Sequence, residues 1–409
     1  MAARTRIAAL AHEVGAEPFE LVGRVVAARP GAVRISDGTG TAWIATDREI
    51  GFGSWVRAVC PRPAPPGTAT AAPLQPTELE LAAGTEPRQG SEHAWAHTPT
   101  ASGATRFSLL EARAKAVRAV RAFFETEGFL EVETPLVVPS PGLDLHLDAL
   151  EVTGAKAARW LVTSPEYQMK RLLAAGHTKI FQICKCFRRG ELGDAHEPEF
   201  TMLEWYRAFS GSAEVMTDTE RLVEHVARSV RGSTVIETRG REVDLKAPWE
   251  RLTVGEALAR FAGVSLDDVV NDEERFFRLL VERVEPELGA TRPTWLVAWP
   301  ASMASLARLD PNDASVADRF EAYVAGLELC NGFGELTDPR EQRARLERDQ
   351  AARRATNKPV YPLDERFLDA LAEGIPPSGG NALGVDRLVM LALGASRIQD
   401  VVAVASERL

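Results

Sequence analysis

Several residue types are scarce in this sequence, and each scarcity excludes a class of protein. Four cysteines among 409 residues, at positions 60, 184, 186 and 330, are too few and too scattered for a disulfide framework, and their spacing matches no zinc site. No apolar run approaches the roughly 18 residues that a membrane span needs. Arginines and a glutamate interrupt the N-terminus before any signal-like stretch develops. The sequence therefore predicts a cytoplasmic protein with no membrane partner.

Basic residues are also in deficit. The chain has 48 lysines and arginines against 58 carboxylates, a net charge of −10, which argues against a broad electrostatic attraction to nucleic acid. Residues 1–90 contain nine arginines, nine carboxylates and no lysine. We therefore do not expect this segment to bind nucleic acid. What is present, 45% hydrophobic and 26% charged residues, is the balance of an ordinary globular protein.

The chain divides into segments of different composition. Residues 19–60 read as short alternating strands punctuated by glycine-rich turns, a pattern typical of a small β-barrel. Residues 61–76 are rich in proline, alanine and glycine, and residues 84–105 are also linker-like. We predict a β-barrel module over 1–90, a linker over 91–105 and a larger domain over 106–409.

The larger domain opens with an amphipathic helix of about five turns, for which Ser108 and Glu111 fit a capping box and Gly128 marks the end. Beyond it, strand-like segments alternate with helices and adjoin short loops more often than crossover helices. This order predicts an α+β domain around a mostly antiparallel sheet.

Two strand-like segments place acids beside aromatic residues. In EFTMLEWYRA, alternation puts Glu204 and Tyr206 on one face, with Phe200 and Met202. A carboxylate between aromatic rings is costly unless a cation or a hydrogen-bond donor meets it. In NGFGEL, the same alternation gives a face of Asn331, Phe333 and Glu335. The two faces predict a pocket for an amine, and the alternative is that the acids lie on a solvated sheet face.

A third acidic feature lies in FEAYVAGLEL, which reads as a hairpin. A two-residue turn at Val324 and Ala325 would set Glu321 directly opposite Glu328. Like charges in that arrangement destabilise the ladder, so a divalent cation between them is the economical explanation. The alternative is a pair of acids on an exposed hairpin. Strict alternation also puts Glu328 on the opposite face from Asn331, so a bulge would be needed for one shared site.

Arginines complete this set. Arg188 ends a strand that leads into a glycine turn, and Arg387 lies in the first turn of the last helix, behind Gly384. Such arginines are usually surface ion-pair partners. Beside facing acids, glycines and an aromatic residue suited to stacking, they indicate a nucleoside triphosphate with Mg²⁺.

From about residue 108 to the C-terminus, six ordered motifs match a known family. VETP, TSPEYQMKRLL, FRRGE with HEPEFTMLEWYR, PASMASLARLD, GLELCNGFGELTD and ALGVDRLVMLALG resemble the class II aminoacyl-tRNA synthetase core of the lysine type. More narrowly, TSPEY, EFTMLEWYR, PAS-x-ASLA and ALGVDR are similar to the elongation factor P lysine ligases. The resemblance implies a class II core, an antiparallel sheet flanked by helices. The segment GRVVAARPGAVRISDGTGTAWIAT followed by TELELAAG resembles a reduced OB fold, so the N-terminal module is predicted to be OB-like.

The resemblance also implies roles for individual residues. It makes Arg188 and Arg387 the catalytic residues and Pro135 a proline near the interface of a homodimer. It places ATP against Arg188, Arg189, Gly190, His196, Glu197, Phe200, Glu321, Glu328, Leu329, Gly384 and Arg387. It places Mg²⁺ on Glu321 and Glu328. The amino acid would lie against Ser164, Pro165, Glu166, Glu204, Tyr206, Asn331, Phe333 and Glu335. Three positions depart from the synthetase pattern: Gly190 stands where a glutamate is usual, Glu197 where an asparagine is usual, and Asp194 where an arginine is common.

The implied activity is the ATP-dependent activation of lysine or β-lysine as an aminoacyl-adenylate, followed by transfer to a lysine side chain of elongation factor P. A compact lysyl-tRNA synthetase is the first alternative, favoured by the OB-like module. A catalytically silent paralogue that acts as a binding protein is the second, favoured by Gly190 and Glu197.

Overall fold

A computed structural model describes residues 3–4, 7, 10, 17–37, 40–61, 73–83, 96, 100, 103–154 and 156–409. The chain forms two compact units, Met1–Ser108 and Leu109–Leu409. The predicted linker over 91–105 lies almost wholly outside the described residues, so the three-part division of the chain stays a prediction.

The N-terminal unit is a small β-sheet. Its strands are β1 Ala3–Arg4, β2 Phe19–Arg29, β3 Ala32–Ser36, β4 Thr41–Ala45, β5 Trp55–Cys60 and β6 Glu78–Ala83. Five of them pair antiparallel in the order β4-β3-β2-β5-β6, and β1 pairs parallel with β2. Alternate residues of β2, beginning with Phe19 and Leu21, point into the core with Ile35 and Val56. This sheet agrees with the predicted OB-like module.

The C-terminal unit is built on an eight-stranded sheet in the order β14-β15-β16-β17-β18-β11-β10-β7. Its strands are β7 Leu130–Glu131, β10 Lys179–Phe187, β11 Glu199–Ala208, β14 Glu250–Thr253, β15 Thr294–Pro300, β16 Val316–Val324, β17 Leu327–Gly334 and β18 Ser378–Gly384. Two short pairs lie outside it: β8 Val137–Val138 with β9 Trp160–Leu161, and β12 Val235–Thr238 with β13 Arg241–Asp244. Only the pairs at its two ends are parallel, so the predicted mostly antiparallel sheet is confirmed.

The described helices are α1 Arg106–Thr126, α2 Glu166–Ala174, α3 Ser212–Arg231, α4 Val254–Ala257, α5 Glu273–Leu279, α6 Pro339–Ala355, α7 Glu365–Gly374 and α8 Val385–Leu393. The predicted capping box of α1 is wrong. The helix begins two residues before Ser108, and the Thr105 hydroxyl accepts the Ser108 N–H at 3.3 Å. Threonine at that position supplies the N-cap, which leaves Ser108 inside the first turn.

One face of the eight-stranded sheet carries the main core. Leu203 and Trp205 of β11 point into it and meet Phe124 of α1, Val223 of α3 and Leu388 of α8. This is the apolar face that alternation along EFTMLEWYRA predicts. The opposite face of the same strands is therefore left to carry the polar residues. No helix within the described part of the chain is both long and apolar enough to cross a membrane.

Candidate active site

The register of the sheet brings the predicted polar residues into two rows. Across β10, β11, β18, β17 and β16, paired positions run in the order Gln182, Glu204, Ala382, Asn331 and Glu321. The neighbouring row runs Tyr206, Gly380, Phe333 and Arg319. Residues directly opposite in a ladder share a face, so the two predicted acid-and-aromatic faces form one continuous surface.

Two cavities adjoin this surface. The larger has a volume of about 830 Å³ and the smaller about 160 Å³. Both are lined by Arg188, Arg319, Asn331 and Ala382, so they meet at these residues. Such an arrangement can hold two ligands with their reactive ends in contact.

The structure distributes the sequence-predicted residues unevenly over these cavities. The larger one is lined by Arg188, His196, Glu197, Phe200, Glu321, Glu328, Leu329, Asn331, Gly384 and Arg387. The smaller one is lined by Ser164, Glu166, Arg188, Asn331 and Phe333. Within the described chain, the remaining predicted residues line neither cavity: Pro165, Arg189, Gly190, Glu204, Tyr206 and Glu335. Glu204, Tyr206 and Glu335 lie buried beneath the amino acid side of the site, whereas Arg189 and Gly190 are exposed.

The predicted register of the acidic hairpin is wrong. The turn falls at Ala325 and Gly326, both with positive φ, so Val324 pairs with Leu327. Glu321 lies opposite Asn331, and Glu328 lies opposite Tyr323. Positive φ at both central residues is the requirement of a type I′ hairpin turn, and the glycine at the second position meets it at little cost.

The bulge that a shared site would need is nevertheless present. The ladder shifts between Ala322 and Tyr323, which leaves Leu329 as the extra residue on β17. Beyond the bulge, Glu328 faces the same cavity as Glu321 and Asn331. The two acids therefore share one site without being direct cross-strand partners.

Glu321 is a buried acid held by three donors. Arg319 Nη2 and Asn331 Nδ2 donate to Oε1 at 2.7 and 3.1 Å, and the Tyr323 hydroxyl donates to Oε2 at 2.8 Å. Burial raises the pKa of Glu321 to about 7, the Arg319 charge opposes that rise, and the Glu328 charge adds to it. The three donors fix the position of the carboxylate, and its pKa stays raised because the loss of water on burial outweighs the Arg319 charge.

Glu328 pairs with Arg387 at the other side of the cavity. Arg387 Nη1 lies 3.1 Å from Glu328 Oε2 and donates to the Glu328 carbonyl at 2.8 Å. Burial acts to raise the pKa of Glu328, but Arg387 and, further away, Arg188 outweigh it and hold the pKa below its ordinary value. Arg387 Nη2 also lies 2.7 Å from His196 Nε2, and burial together with the Arg387 charge lowers the pKa of His196. His196 is therefore neutral at pH 7.

Arg188 lies where the two cavities meet. Its guanidinium is 5.0 Å from the centre of the Phe200 ring, and it pairs with Glu191 at 3.6 Å. Glu191 lines the larger cavity, one position after the glycine that departs from the synthetase pattern. A carboxylate is therefore retained beside Arg188, displaced by one residue.

Glu197, the second departure, is buried and engaged. Gln399 Nε2 donates to Oε1 at 2.7 Å, and the Ser406 N–H donates to Oε2 at 3.1 Å. Although Glu197 touches the larger cavity, both of its oxygens hold the C-terminal segment. Glu197 therefore forms part of the cavity wall and anchors the C-terminal segment to it.

Glu204 is the buried acid on the amino acid side. The Ser164 hydroxyl donates to Oε2 at 2.7 Å and the Tyr206 hydroxyl donates to Oε1 at 2.6 Å. Burial raises the pKa of Glu204 to about 8, and the nearby Glu166 adds to the rise, while both hydrogen bonds oppose it. Both donors are neutral hydroxyl groups, so neither offsets the charge that Glu204 carries when it is ionised.

Sequence reasoning missed Lys170, which lies beneath the same pocket. Its Nζ is 2.6 Å from Glu166 Oε1 and 2.5 Å from Glu335 Oε2. The sequence predicts that Glu166 and Glu335 lie against the amino acid, and in the structure both also pair with Lys170. The four-residue spacing of Glu166 and Lys170 in EYQMK was a visible signal of the first contact, since such pairs are neighbours on a helix. Burial of the pair could not be read from that spacing.

Comparison with known proteins places this site in a family context. The family model of class II tRNA synthetases (D, K and N) matches residues 101–408. Proteins named elongation factor P--(R)-beta-lysine ligase from Salmonella heidelberg (strain SL476) and Salmonella agona (strain SL483) are each 42% identical to the chain over 308 residues. Each match covers 72% of this chain and 94% of the relative.

Proposed function

The chain belongs to the class II tRNA synthetase family of the D, K and N type, and from that premise we propose that it is an ATP-dependent ligase for elongation factor P. It activates lysine or (R)-β-lysine as an aminoacyl-adenylate and transfers the aminoacyl group to a lysine side chain of that factor. The observation that carries the proposal is the match to 94% of the length of named ligases. The family match over residues 101–408 contains both cavities and the acids around them.

The reaction has two steps, and neither requires a protein nucleophile. A carboxylate oxygen of the amino acid attacks the α-phosphorus of ATP, and pyrophosphate leaves. The amine of the acceptor lysine then attacks the activated carbonyl, loses a proton and displaces AMP. Positioning and charge neutralisation are the protein's contributions.

The larger cavity is proposed to hold ATP. Arg188, at the junction of the cavities, would meet the α-phosphate, and Arg387 would meet the γ-phosphate after releasing Glu328. Phe200 would support the adenine ring. Charge-assisted contacts to phosphate are the strong form of hydrogen bond, and arginine is suited to them by its planar fork of donors.

Glu321 and Glu328 fit a magnesium ion that enters with the nucleotide. They face one cavity, and the charge of Glu328 contributes to the raised pKa of Glu321, a mutual repulsion that a cation relieves. Mg²⁺ is commonly bound by one or two protein carboxylates together with substrate phosphates, which is the number this pair supplies. When bound, the ion would neutralise charge on the phosphates.

The amino acid is proposed to occupy the smaller cavity, with its carboxylate directed to the Arg188 junction. Ser164, Asn331 and Phe333 would line it. Glu204 and Glu335, buried beneath, would attract the ammonium groups. An ammonium group that enters this site loses its water shell and gains contacts to fixed carboxylates in return. The site therefore favours a cationic substrate over a neutral one.

A homodimer is proposed as the assembled state. Near Pro135, the apolar side chains of Leu130 and Val137 are 50% and 47% exposed, and a second copy would cover them. Light scattering on the purified protein would show twice the chain mass, and a monomer at micromolar concentration would contradict this proposal.

A single labelling experiment tests the function. The purified protein is offered ATP, Mg²⁺, radiolabelled lysine or (R)-β-lysine, tRNA and elongation factor P together. Label on elongation factor P that depends on ATP supports the ligase. Label on tRNA would replace it with a lysyl-tRNA synthetase, and the absence of both label and ATP–pyrophosphate exchange would favour a silent paralogue.

A further inference from the structure

Lys170 is a buried ammonium group that the proposed reaction does not use. It lies on α2 with 1% of its surface exposed. Its Nζ contacts two carboxylates, Glu166 on the same helix and Glu335 after β17, at 2.6 and 2.5 Å. Burying a charge is costly, and removing one partner of such a group leaves the others uncompensated. The pocket therefore contains a fixed internal cation.

The charges around this cation match a substrate with two ammonium groups. The pocket has three carboxylates, on Glu166, Glu204 and Glu335, against the single ammonium of Lys170. With all three ionised, two negative charges are in excess. Burial raises the pKa of Glu204 to about 8 and that of Glu335 to about 7, so this surplus develops fully when a cationic ligand enters. Within the described chain, Glu335 Oε1 is buried without a hydrogen-bond partner, and Glu204 is held only by neutral hydroxyl groups. Each acid thus has a carboxylate oxygen with no charged partner among the described residues.

We propose that Lys170 is a positioning residue that sets the amino acid specificity of the pocket. By pairing with Glu166 and Glu335 it holds both carboxylates in place, and with all three acids ionised it leaves two negative charges for the substrate. The pocket then favours amino acids with two ammonium groups over those with one. This inference rests on the proposed function, because it concerns the amino acid site of that reaction.

The surroundings of Lys170 determine how the inference depends on pH. The groups that face it are Glu166 on α2, Glu335 after β17, and Glu204 and Tyr206 on β11, with Asp318 of β16 acting on Glu335. Burial raises the pKa of Glu335 to about 7, and Lys170 opposes that rise. Without Lys170 the Glu335 carboxyl would hold its proton to higher pH, so at pH 7 Glu335 would be largely neutral and would no longer offer a carboxylate to a substrate ammonium.

Two variants separate charge from position. Lys170→Gln retains hydrogen-bond donors between the two carboxylates but removes the charge, and Lys170→Met removes both. Lys185→Met is the matched control, because Lys185 forms an ion pair with Glu199 at 3.3 Å on the surface. ATP–pyrophosphate exchange gives KM for ATP and for the amino acid. Lysine is compared with norleucine, which lacks the distal amine, and calorimetry measures binding of both without catalysis.

The expected result is a KM for lysine that rises at least tenfold in both Lys170 variants at pH 7, with partial recovery at pH 9 as Glu335 ionises. The KM for ATP stays within twofold, and the preference for lysine over norleucine shrinks. Adding Lys170→Gln to Glu335→Gln costs less than threefold further, because Lys170 acts mainly through Glu335. Lys185→Met behaves as the wild type.

Other results would overturn the inference. If the KM values for ATP and lysine rise by equal factors at both pH values, Lys170 is merely structural. The same follows if Lys170→Met loses its folding transition while Lys170→Gln keeps the wild-type KM for lysine. Wild-type protein that binds norleucine as well as lysine would also defeat it. If the wild-type protein binds lysine selectively but shows no ATP–pyrophosphate exchange, only the proposed function is contradicted. The effect of the Lys170 variants on lysine binding is then measured by calorimetry.

Discussion

At the residue scale, two adjacent arginines have different surroundings. Arg188 lines both cavities and contacts the Phe200 ring, whereas Arg189 is exposed and its backbone N–H donates to the Asp148 carbonyl. We expect Arg188→Ala to lower ATP–pyrophosphate exchange by roughly thirtyfold or more, since a charge-assisted contact contributes about 2 kcal/mol.

Arg189→Ala is the matched comparison for this prediction. An exposed substitution usually changes a free energy by about 0.5 kcal/mol or less, so a change in exchange of roughly twofold is expected. Both variants should keep the wild-type thermal unfolding transition. Equal losses in the two variants would show that the cavity junction does not bind the nucleotide.

Glu204 gives a prediction about stability and pH. Its pKa is raised to about 8, chiefly by burial, so the folded state holds a proton that the unfolded chain releases near its ordinary value. The stability that this proton contributes is fully present below about pH 4.5 and is lost as the pH rises through about 8. Glu204→Gln is neutral at every pH and removes this loss. Relative to the variant, the ligand-free wild type should lose more than about 1.4 kcal/mol of unfolding free energy between pH 5 and pH 9.

Urea unfolding at the two pH values measures this difference. Glu199→Gln is the control, because Glu199 lies on the same strand with an exposed side chain paired to Lys185. That variant should follow the wild-type pH dependence. Parallel profiles for the wild type and Glu204→Gln would mean that Glu204 is ionised in the folded, ligand-free protein.

At the element scale, β18 must pass close to the amino acid pocket without a side chain at Gly380. This glycine pairs with Tyr206 and with Phe333, and a Cβ there would collide with the Tyr206 ring and with Glu335 Oε1. Gly380→Ala should destabilise the protein by about 1–3 kcal/mol, the usual cost of overpacking. Because the collision displaces pocket residues, the KM for the amino acid should rise more than the KM for ATP.

Gly255→Ala provides the control for this element. Gly255 lies in α4, where an added Cβ would be 3.8 Å from Leu266, an ordinary contact. Alanine in a helix is favoured over glycine, so the variant should be as stable as the wild type or more stable. ATP–pyrophosphate exchange kinetics and thermal unfolding are measured on both variants. An unaltered KM for the amino acid in Gly380→Ala would show that β18 does not form part of the amino acid pocket.

Strand faces could be predicted from sequence, whereas hairpin register could not. Alternation along β11 and β17 places Glu204 and Asn331 on the active face because the side-chain period in a strand is fixed at two residues. The partner of Glu328 depends on one turn and one bulge. The turn includes Gly326, a visible signal, but the bulge at Leu329 reflects packing between strands and has no local sequence signature.

The cation of the pocket was unpredictable for a related reason. Glu166 and Lys170 are four residues apart, which predicts a helix-surface pair. Their burial comes from Glu335, more than 160 residues away in sequence, and from the aromatic ring of Tyr206, 6.0 Å from the ammonium. Long-range contacts of this kind are set by the whole sheet, so the roles of individual site residues remain proposals.

At the scale of the whole molecule, we expect the two units to have different roles. The family match begins at residue 101, and the curated relatives are matched over 94% of their own length by 308 residues. The family match thus covers all but the last residue of the C-terminal unit and only the last residues of the N-terminal one. The N-terminal sheet of this chain is therefore expected to be unnecessary for adenylation.

The N-terminal unit also lacks the charge that a tRNA-binding module needs. Single-stranded RNA binding requires aromatic platforms together with a positive groove. Phe52 and Trp55 are 37% and 40% exposed and meet the first requirement. Nine arginines balanced by nine carboxylates, with no lysine, do not meet the second. We therefore expect the unit to serve protein docking or the dimer.

Deletion of residues 1–100 tests both expectations in one protein. ATP–pyrophosphate exchange should stay within about twofold of the wild type, since an unperturbed site changes its barrier by less than about 0.5 kcal/mol. No tRNA charging should be lost, because none is expected of the intact chain. Labelling of elongation factor P is the informative measurement: if it falls while exchange persists, the N-terminal unit contributes to acceptor docking and not to activation. If the intact protein charges tRNA with lysine and the deletion abolishes that charging, the OB-like unit binds tRNA and the elongation factor is not its acceptor.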